Sequence, residues 1–235
     1  MVTVTSIHKI GVIPSADGFT MPATAVNVHA ITLADSAALS RHYIPRSILP
    51  TDVIEILNRA KVSYVLVGAH GAFGWMNVEE ARITKDVDVL VAAKHHKKAL
   101  KALLKEFPHL ESIDLPVVTR LKDPKTGQIV IDLMKPNELY RAAFKHTHTV
   151  AAGKLKYRVP SLEMALAMKF AAMVSPNRED VKKIVDSHDF IVMVRANPEL
   201  DLEKLKMLGD LVYPEGGQEI LELVRRVRAG ETLIL

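Results

Sequence analysis

The chain has 235 residues, 49% hydrophobic and 25% charged, so it can bury a sizeable core and has the composition of a globular protein. It contains no cysteine, which excludes a disulfide framework and a thiolate zinc site and is typical of a reducing cytosol. No apolar run approaches the roughly 20 residues of a membrane helix, and no secretory signal pattern is visible, so we predict a cytoplasmic protein without a membrane partner. The formal net charge of +4 favours polyanionic partners.

Residues 1–48 show no sustained helical or strand period. They are rich in Thr, Ser and Ala and are interrupted by Pro14, Gly18, Pro22 and Pro45. We interpret them as an N-terminal extension. A flexible arm, a short hairpin on the core and an incorrectly assigned start are the open alternatives for it.

A helix and two apolar strands are predicted next. Thr51 is the expected N-cap of the helix, and Val53, Ile54 and Leu57 begin its apolar stripe. The first strand starts near residue 63 and ends at a glycine turn, and the second covers residues 86–92. The second strand carries two aspartates, although aspartate is a poor strand former.

These aspartates, Asp86 and Asp88, are two residues apart and therefore share one face of the predicted strand. Two carboxylates on one face of an apolar strand repel each other. A divalent cation between them explains the arrangement most simply, since carboxylate oxygens are the ligands that Mg²⁺ takes. The alternative is a merely structural pair.

A lysine-rich helix is predicted over residues 94–107. Leucines occupy one side, and five lysines recur with helical spacing on the other: Lys94, Lys97, Lys98, Lys101 and Lys105. We name these five residues the lysine ridge. A solvated helix face and a phosphate-tracking surface for RNA remain equally open interpretations.

A third acidic residue, Asp132, lies inside another apolar strand predicted over residues 128–134. A lone carboxylate in such a strand is costly unless it is paired. If this strand neighbours the strand of Asp86 and Asp88, the three carboxylates converge on one site. A solvated or salt-bridged Asp132 is the alternative.

The remaining pattern is a helix over 136–146, a hairpin of 147–150 with 155–159, and four helices. Ser161 is the predicted N-cap of the first of these, the second ends near Arg195, and the others lie near 198–211 and 218–229. This order indicates the α+β class, with a mixed-sheet core at 49–160 and a helical subdomain at 161–235.

Lys169 interrupts the apolar helix that follows Ser161. A buried amine without a partner is costly, so Lys169 either snorkels to solvent or meets an anion. Asp180, at the start of the next helix, could pair with it or favour the positive helix N-terminus.

The glycine turn and the aspartates together resemble the nucleotidyltransferase superfamily of polymerase-β type, and more closely its small bacterial members of the abortive-infection toxin kind. The residues that carry the resemblance are Val67-Gly68-Ala69, Arg82 with Thr84, and Asp86-Val87-Asp88. Two positions depart from the pattern, because Ala69 stands where Gly or Ser is usual and Glu179 where Lys is usual.

The resemblance implies an enzyme that moves a nucleoside monophosphate from an NTP to a hydroxyl of RNA, such as a tRNA end, or of a protein. It implies Mg²⁺ or Mn²⁺ bound by Asp86, Asp88 and Asp132. The nucleotide-binding residues it implies are Gly68, Ala69, Arg82, Thr84, Lys169 and Asp180. A toxin role with a cognate antitoxin follows from the same resemblance.

Two other classes stay open. Ala69 and Glu179 are compatible with a degenerate member that binds nucleotide or RNA without turnover. The lysine ridge is compatible with a basic RNA-binding or partner-binding module without enzymatic activity.

Overall fold

The computed structural model describes residues 48–77, 80, 84–231 and 233. Arg82 and the extension up to residue 47 lie outside these ranges. In chain order the elements are α1 (Pro50–Arg59), β1 (Tyr64–Leu66), α2 (Gly68–Ala72), β2 (Val87–Val91), α3 (His96–Glu106), β3 (Glu111–Asp114), β4 (Val118–Lys122), β5 (Ile129–Met134), α4 (Glu138–Ala143), β6 (Thr147–Ala152), β7 (Leu155–Pro160), α5 (Leu162–Val174), α6 (Asp180–Ala196), α7 (Leu202–Asp210) and α8 (Gly216–Arg228).

Five strands form one sheet in the order β1-β2-β5-β4-β3, and β6 pairs with β7 in a separate hairpin. The central pair, β2 and β5, is parallel, whereas the other pairs of the sheet are antiparallel. The sheet is therefore mixed, and helices follow it in the chain. The α+β class predicted from the sequence is confirmed.

The two faces of the sheet contact different helices, because side chains alternate along each strand. Val87 and Val89 of β2 belong to a core shared with α1 and α3. Leu90 belongs to the other core, which is shared with α5 to α8. Asp88 lies between Val87 and Val89, so its side chain projects to the face covered by the C-terminal helices.

The lysine ridge consequently lies on the layer opposite the aspartates. Ala99 and Leu103 of α3 are buried against the sheet face that carries Val89. The five ridge lysines are exposed. A polyanion bound along the ridge is thus separated from Asp88 by the thickness of the sheet.

The N-terminus of α1 differs from the sequence-based prediction. Its N-cap is Leu49 rather than Thr51, and Pro50 is the first helical residue. The backbone N–H of Leu49 donates to the carboxylate of Asp52 at 3.0 Å, so Asp52 supplies the interaction expected of a cap. Proline suits the first helical position because its missing N–H would have no intrahelical partner there.

Two strands, β3 and β4, were not predicted. All four side chains of β3 are exposed, so this edge strand shows no alternation between apolar and polar residues. The hairpin of β6 and β7 is confirmed. Ser161 caps α5 as predicted, because its side chain accepts a hydrogen bond from the backbone N–H of Met164. Of the helices in the described part of the chain, none combines the length and apolarity needed to cross a bilayer.

Candidate active site

Three carboxylates converge at one face of the sheet. Asp88 of β2 and Asp132 of β5 are directly opposite each other in the parallel register. Asp86 lies two residues earlier, immediately before β2. One carboxylate oxygen from each residue lies within 4.8 Å of the others, and all three residues are half-buried. The structure therefore brings together the three residues that the sequence predicts as a metal site.

Thr84 fixes the first of these carboxylates. Its Oγ1 donates to Oδ1 of Asp86 at 2.6 Å, while both residues are half-buried. Asp86 lies before β2, so strand pairing does not hold it in place as it holds Asp88. The hydrogen bond from Thr84 helps to orient its carboxylate instead. Thr84 thus contacts the acid cluster through Asp86.

The turn after β1 lies against Asp88. The backbone N–H of Val67 donates to the backbone oxygen of Asp88 at 3.0 Å. Gly68 has φ +63°, and a Cβ on it would lie 2.0 Å from Oδ2 of Asp88. Both the left-handed backbone and the close approach require glycine at this position. Ala69, the next residue, is buried.

Burial is the main cause that raises the pKa of Asp88, to about 7, and the carboxylates of Asp86 and Asp132 raise it further. The positive charges of Lys169 and Arg178 act in the opposite direction. A carboxyl group with such a pKa is stabilised in its ionised form by any cation that enters the cluster.

Asp132 has one oxygen without a hydrogen-bond donor. Burial raises the pKa of its carboxyl group, and Arg120 is the strongest opposing charge. Arg120 faces Asp132 across the β4–β5 pair, with 3.6 Å between Nε and Oδ1. Within the described ranges both of these buried atoms lack a hydrogen-bond partner. Arg120 was not predicted, since only the unpredicted strand β4 brings it next to Asp132.

The cluster fits a hard divalent cation. Its donors are all carboxylate oxygens, which Mg²⁺ and Mn²⁺ prefer over softer ligands. A bound cation would give Oδ1 of Asp132 a partner. It would also offset the repulsion that Asp86 and Asp132 exert on the carboxylate of Asp88. These residues are therefore suited to holding a divalent metal ion.

Lys169 belongs to a buried ion network, and its charge acts on Asp88. Its amine donates to Asp186 at 2.9 Å and to Asp189 at 2.5 Å, both on α6. Arg178 donates to the other oxygen of Asp186 from Nε at 3.0 Å and from Nη2 at 2.6 Å. Of the two alternatives for Lys169, snorkelling to solvent or meeting an anion, the structure has the second, and the two partner carboxylates were not identified from the sequence.

A sequence signal for these partners does exist. Asp186 and Asp189 are three residues apart and so lie on one face of α6, among apolar residues that are buried with them. A buried lysine on the preceding helix needs compensation by such a pair.

The structure places Asp180 away from Lys169. It is exposed in the first turn of α6, and its described contact is Lys183 at 3.9 Å. The pairing of Asp180 with Lys169 is therefore wrong, whereas its position at a helix N-terminus agrees with the alternative. Arg82 lies outside the described residues.

Tyr140 of α4 was not predicted as a site residue. Burial raises the pKa of its phenol, and the charge of Asp88 raises it further. Tyr140 is therefore close enough to the acid cluster for their charges to interact. Nothing in the sequence around Tyr140 distinguishes it from a core tyrosine.

No protein-family model matches this chain, and neither does any curated protein. Among solved structures it is similar to an antigenic nucleotidyltransferase-like protein from Paracoccidioides brasiliensis, with 20% identity and a TM-score of 0.45 over 78% of this chain and 94% of that one. The antibiotic-resistance factor ANT(2'')-Ia follows, with 14% identity and a TM-score of 0.43 over 66% and 84% of the two chains. Terminal uridylyl transferase 4 from Trypanosoma brucei is 12% identical, with a TM-score of 0.32 over 74% of this chain and 57% of that one. All three TM-scores lie below 0.5, so they do not define a fold family for this chain.

Proposed function

We propose that the protein is a nucleotidyltransferase of polymerase-β type that depends on a divalent metal ion. It would transfer a nucleoside monophosphate from an NTP to a hydroxyl group and release pyrophosphate. The observation that supports this most directly is the cluster of Asp86, Asp88 and Asp132, with one oxygen of each within 4.8 Å of the others. Three carboxylates this close are costly unless a cation joins them.

The three aspartates would hold Mg²⁺ or Mn²⁺, which when bound supplies positive charge to the nucleotide's phosphates. The first backbone N–H groups of a helix have no intrahelical partner, so those of Gly68 and Ala69 are available to phosphate oxygens. Thr84 would keep Asp86 oriented. The resemblance also implies nucleotide-binding roles for Arg82, Lys169 and Asp180, although the amine of Lys169 is already paired with Asp186 and Asp189.

Asp132 is the proposed proton acceptor. As the acceptor hydroxyl loses its proton to Asp132, its oxygen forms a bond to the α-phosphorus of the NTP. The bond from the α-phosphorus to the oxygen that bridges to the β-phosphate breaks, and pyrophosphate leaves with that electron pair. Arg120 supports this role, because its charge favours the ionised form of Asp132.

The proposed acceptor is a hydroxyl of RNA, such as a tRNA end, or of a protein. A toxin role with an antitoxin partner is proposed on the sequence resemblance. It predicts that expression of the wild-type protein arrests growth of a bacterial host and that an Asp88→Asn variant does not.

The test is incubation with each NTP, Mg²⁺, total cell RNA and a dialysed lysate, using nucleotides labelled at either the α- or the γ-phosphate. We expect label in an acceptor from the α-labelled NTP and none from the γ-labelled NTP. Sensitivity to ribonuclease or protease then identifies the acceptor class. Asp123→Asn, a change in the turn between β4 and β5, is the matched control for Asp88→Asn.

Each alternative predicts a different result. A degenerate member would bind an NTP in the presence of Mg²⁺ but transfer no label. A basic binding module would bind RNA equally well with and without Mg²⁺. Transfer from the γ-labelled NTP would indicate a kinase and would contradict the proposal.

A further inference from the structure

The amine of Lys169 is already neutralised by protein groups. It lies 2.9 Å from Oδ1 of Asp186 and 2.5 Å from Oδ2 of Asp189, and only 8% of the side chain is exposed. A cation with two buried carboxylate partners offers a phosphate little net charge. A phosphate would also have to displace one of them, leaving a buried carboxylate uncompensated.

Arg178 is the cation of this network that reaches solvent. Its side chain is 39% exposed, and its Nε and Nη2 both donate to Oδ2 of Asp186. The other oxygen of Asp186 holds Lys169. The guanidinium is thereby fixed in place, and its Nη1 has no hydrogen-bond partner among the residues that the structure describes.

Arg178 also belongs to a segment next to the acid cluster: it immediately precedes α6, which contacts α2, the helix that begins at Gly68 beside Asp88. The positive charge of Arg178 lowers the pKa of both Asp88 and Asp132, although burial and the neighbouring carboxylates raise these pKa values by more. Lys182, in the first turns of α6, acts on Asp132 in the same way. Lys182 lies 3.3 Å from Glu179, but both side chains are largely exposed, so this ion pair holds it only weakly.

We infer that Arg178, supported by Lys182, binds the β- and γ-phosphates of the nucleotide, and that Lys169 does not contact them because it neutralises Asp186 and Asp189. The inference deepens the proposed function and rests on it. A guanidinium suits this role because its planar donors match phosphate oxygens and it stays charged at any working pH. As pyrophosphate leaves with the electron pair of the broken bond, Arg178 neutralises the charge it gains.

The probe for this inference is inorganic tripolyphosphate, which carries the phosphate chain common to all NTPs without a base. Its binding is measured by calorimetry in Mg²⁺, and binding of Mn²⁺ alone is measured in parallel. We expect Arg178→Gln to weaken tripolyphosphate binding by about 10- to 100-fold, the usual effect of losing charge-assisted hydrogen bonds. It should not weaken Mn²⁺ binding. Lys182→Gln should cause a smaller loss.

Arg195→Gln is the matched control, since Arg195 is an exposed arginine at the other end of α6. It should bind tripolyphosphate as the wild type does. The charge-balanced double variant Lys169→Met/Asp189→Asn removes one cation and one anion and leaves Asp186 with Arg178. It should keep most of the affinity for tripolyphosphate.

Unchanged binding by a folded Arg178→Gln protein would overturn the inference, as would loss of binding in a folded double variant. If Arg178→Gln does not fold, tripolyphosphate binding by Lys182→Gln and by the double variant still tests the inference. If the wild type transfers label and Arg178→Gln binds tripolyphosphate as tightly as the wild type, only the inference about Arg178 is contradicted. Tripolyphosphate binding that depends on Arg178 without any label transfer would contradict only the proposed function.

Discussion

Gly68 and Asp88 are in such close contact that no side chain fits between them. A Cβ on Gly68 would lie 2.0 Å from Oδ2 and 2.7 Å from the carboxyl carbon of Asp88. The backbone of Gly68 is also left-handed, with φ +63°. The turn after β1 and Asp88 of β2 therefore determine each other's positions.

Gly68→Ala should impair the site by moving the carboxylate of Asp88. A displacement of about 1 Å can lower a reaction rate on the order of 100-fold, so we expect nucleotidyl transfer to fall by roughly that factor. Gly153→Ala is the control, because Gly153 has φ +61° but nothing within 4 Å of the added Cβ. Both variants should lose about 1–2 kcal/mol of stability from backbone strain in thermal unfolding, and Gly68→Ala should lose more because its Cβ also displaces Asp88. Equal activity in the two variants would contradict a role for the contact.

Asp88→Asn should stabilise the protein when metal is removed with a chelator. The carboxyl group has a pKa of about 7 in the folded state, against about 3.9 in an unfolded chain. Between these values the folded state binds more protons, so its free energy of unfolding falls as the pH rises from about 4 to 7. At pH 8 we expect the variant to be more stable than the wild type, on the order of 2 kcal/mol.

Denaturant unfolding at pH 4.5 and pH 8 measures this difference. The advantage of Asp88→Asn should be small at pH 4.5, where the wild-type carboxyl group is largely protonated. A variant that is less stable than the wild type at pH 8 without metal would show that the ionised Asp88 carboxylate is already compensated by protein groups.

Metal affinity should depend on pH through the same carboxyl group. Because a ligand carboxylate must be ionised, binding of Mn²⁺ should weaken by up to about tenfold per pH unit below 7. Titrations of Mn²⁺ by electron paramagnetic resonance at pH 6, 7 and 8 test this. Asp88→Asn should bind Mn²⁺ weakly and with a flatter pH dependence. A wild-type affinity that stays constant from pH 6 to pH 8 would speak against ligation by Asp88.

The lysine ridge is predicted to affect RNA binding without affecting chemistry. Changing Lys97, Lys98 and Lys101 to Gln should flatten the dependence of log affinity on log salt by about two to three units for a duplex acceptor stem. Turnover with a small acceptor should not change, because α3 covers the sheet face opposite Asp88. An unchanged slope would make the ridge a solvated helix face. It would favour a protein acceptor, or RNA bound by the basic residues of the β6–β7 hairpin, Lys154, Lys156 and Arg158.

The sequence predicted the acid cluster because charged residues stand out in apolar strands. Asp88 and Asp132 each lie between two buried aliphatic neighbours, and the parallel pairing of β2 and β5 then brings them together. Arg120 could not be predicted in the same way, since polar residues are ordinary in β4 and only tertiary pairing places it by Asp132. The division into a core and a helical subdomain at residue 160 stays a prediction.

The helices show a similar limit. The pattern predicted α5 and α6, and the buried Lys169 required a counter-charge. The first acidic residue of α6, Asp180, was the obvious candidate, but one-dimensional spacing does not specify how two helices are aligned. In the structure, α6 presents Asp186 and Asp189 to Lys169 about two turns further along.

The most direct measurement of the metal site is anomalous diffraction from crystals grown with Mn²⁺ and a non-hydrolysable NTP analogue. We predict an anomalous peak about 2.1 Å from carboxylate oxygens of Asp86, Asp88 and Asp132, next to the phosphates of the analogue. Crystals of Asp88→Asn grown in the same way should lack this peak. Bound analogue without a peak at the three carboxylates, or a peak at another place in the wild type, would contradict the metal-dependent site.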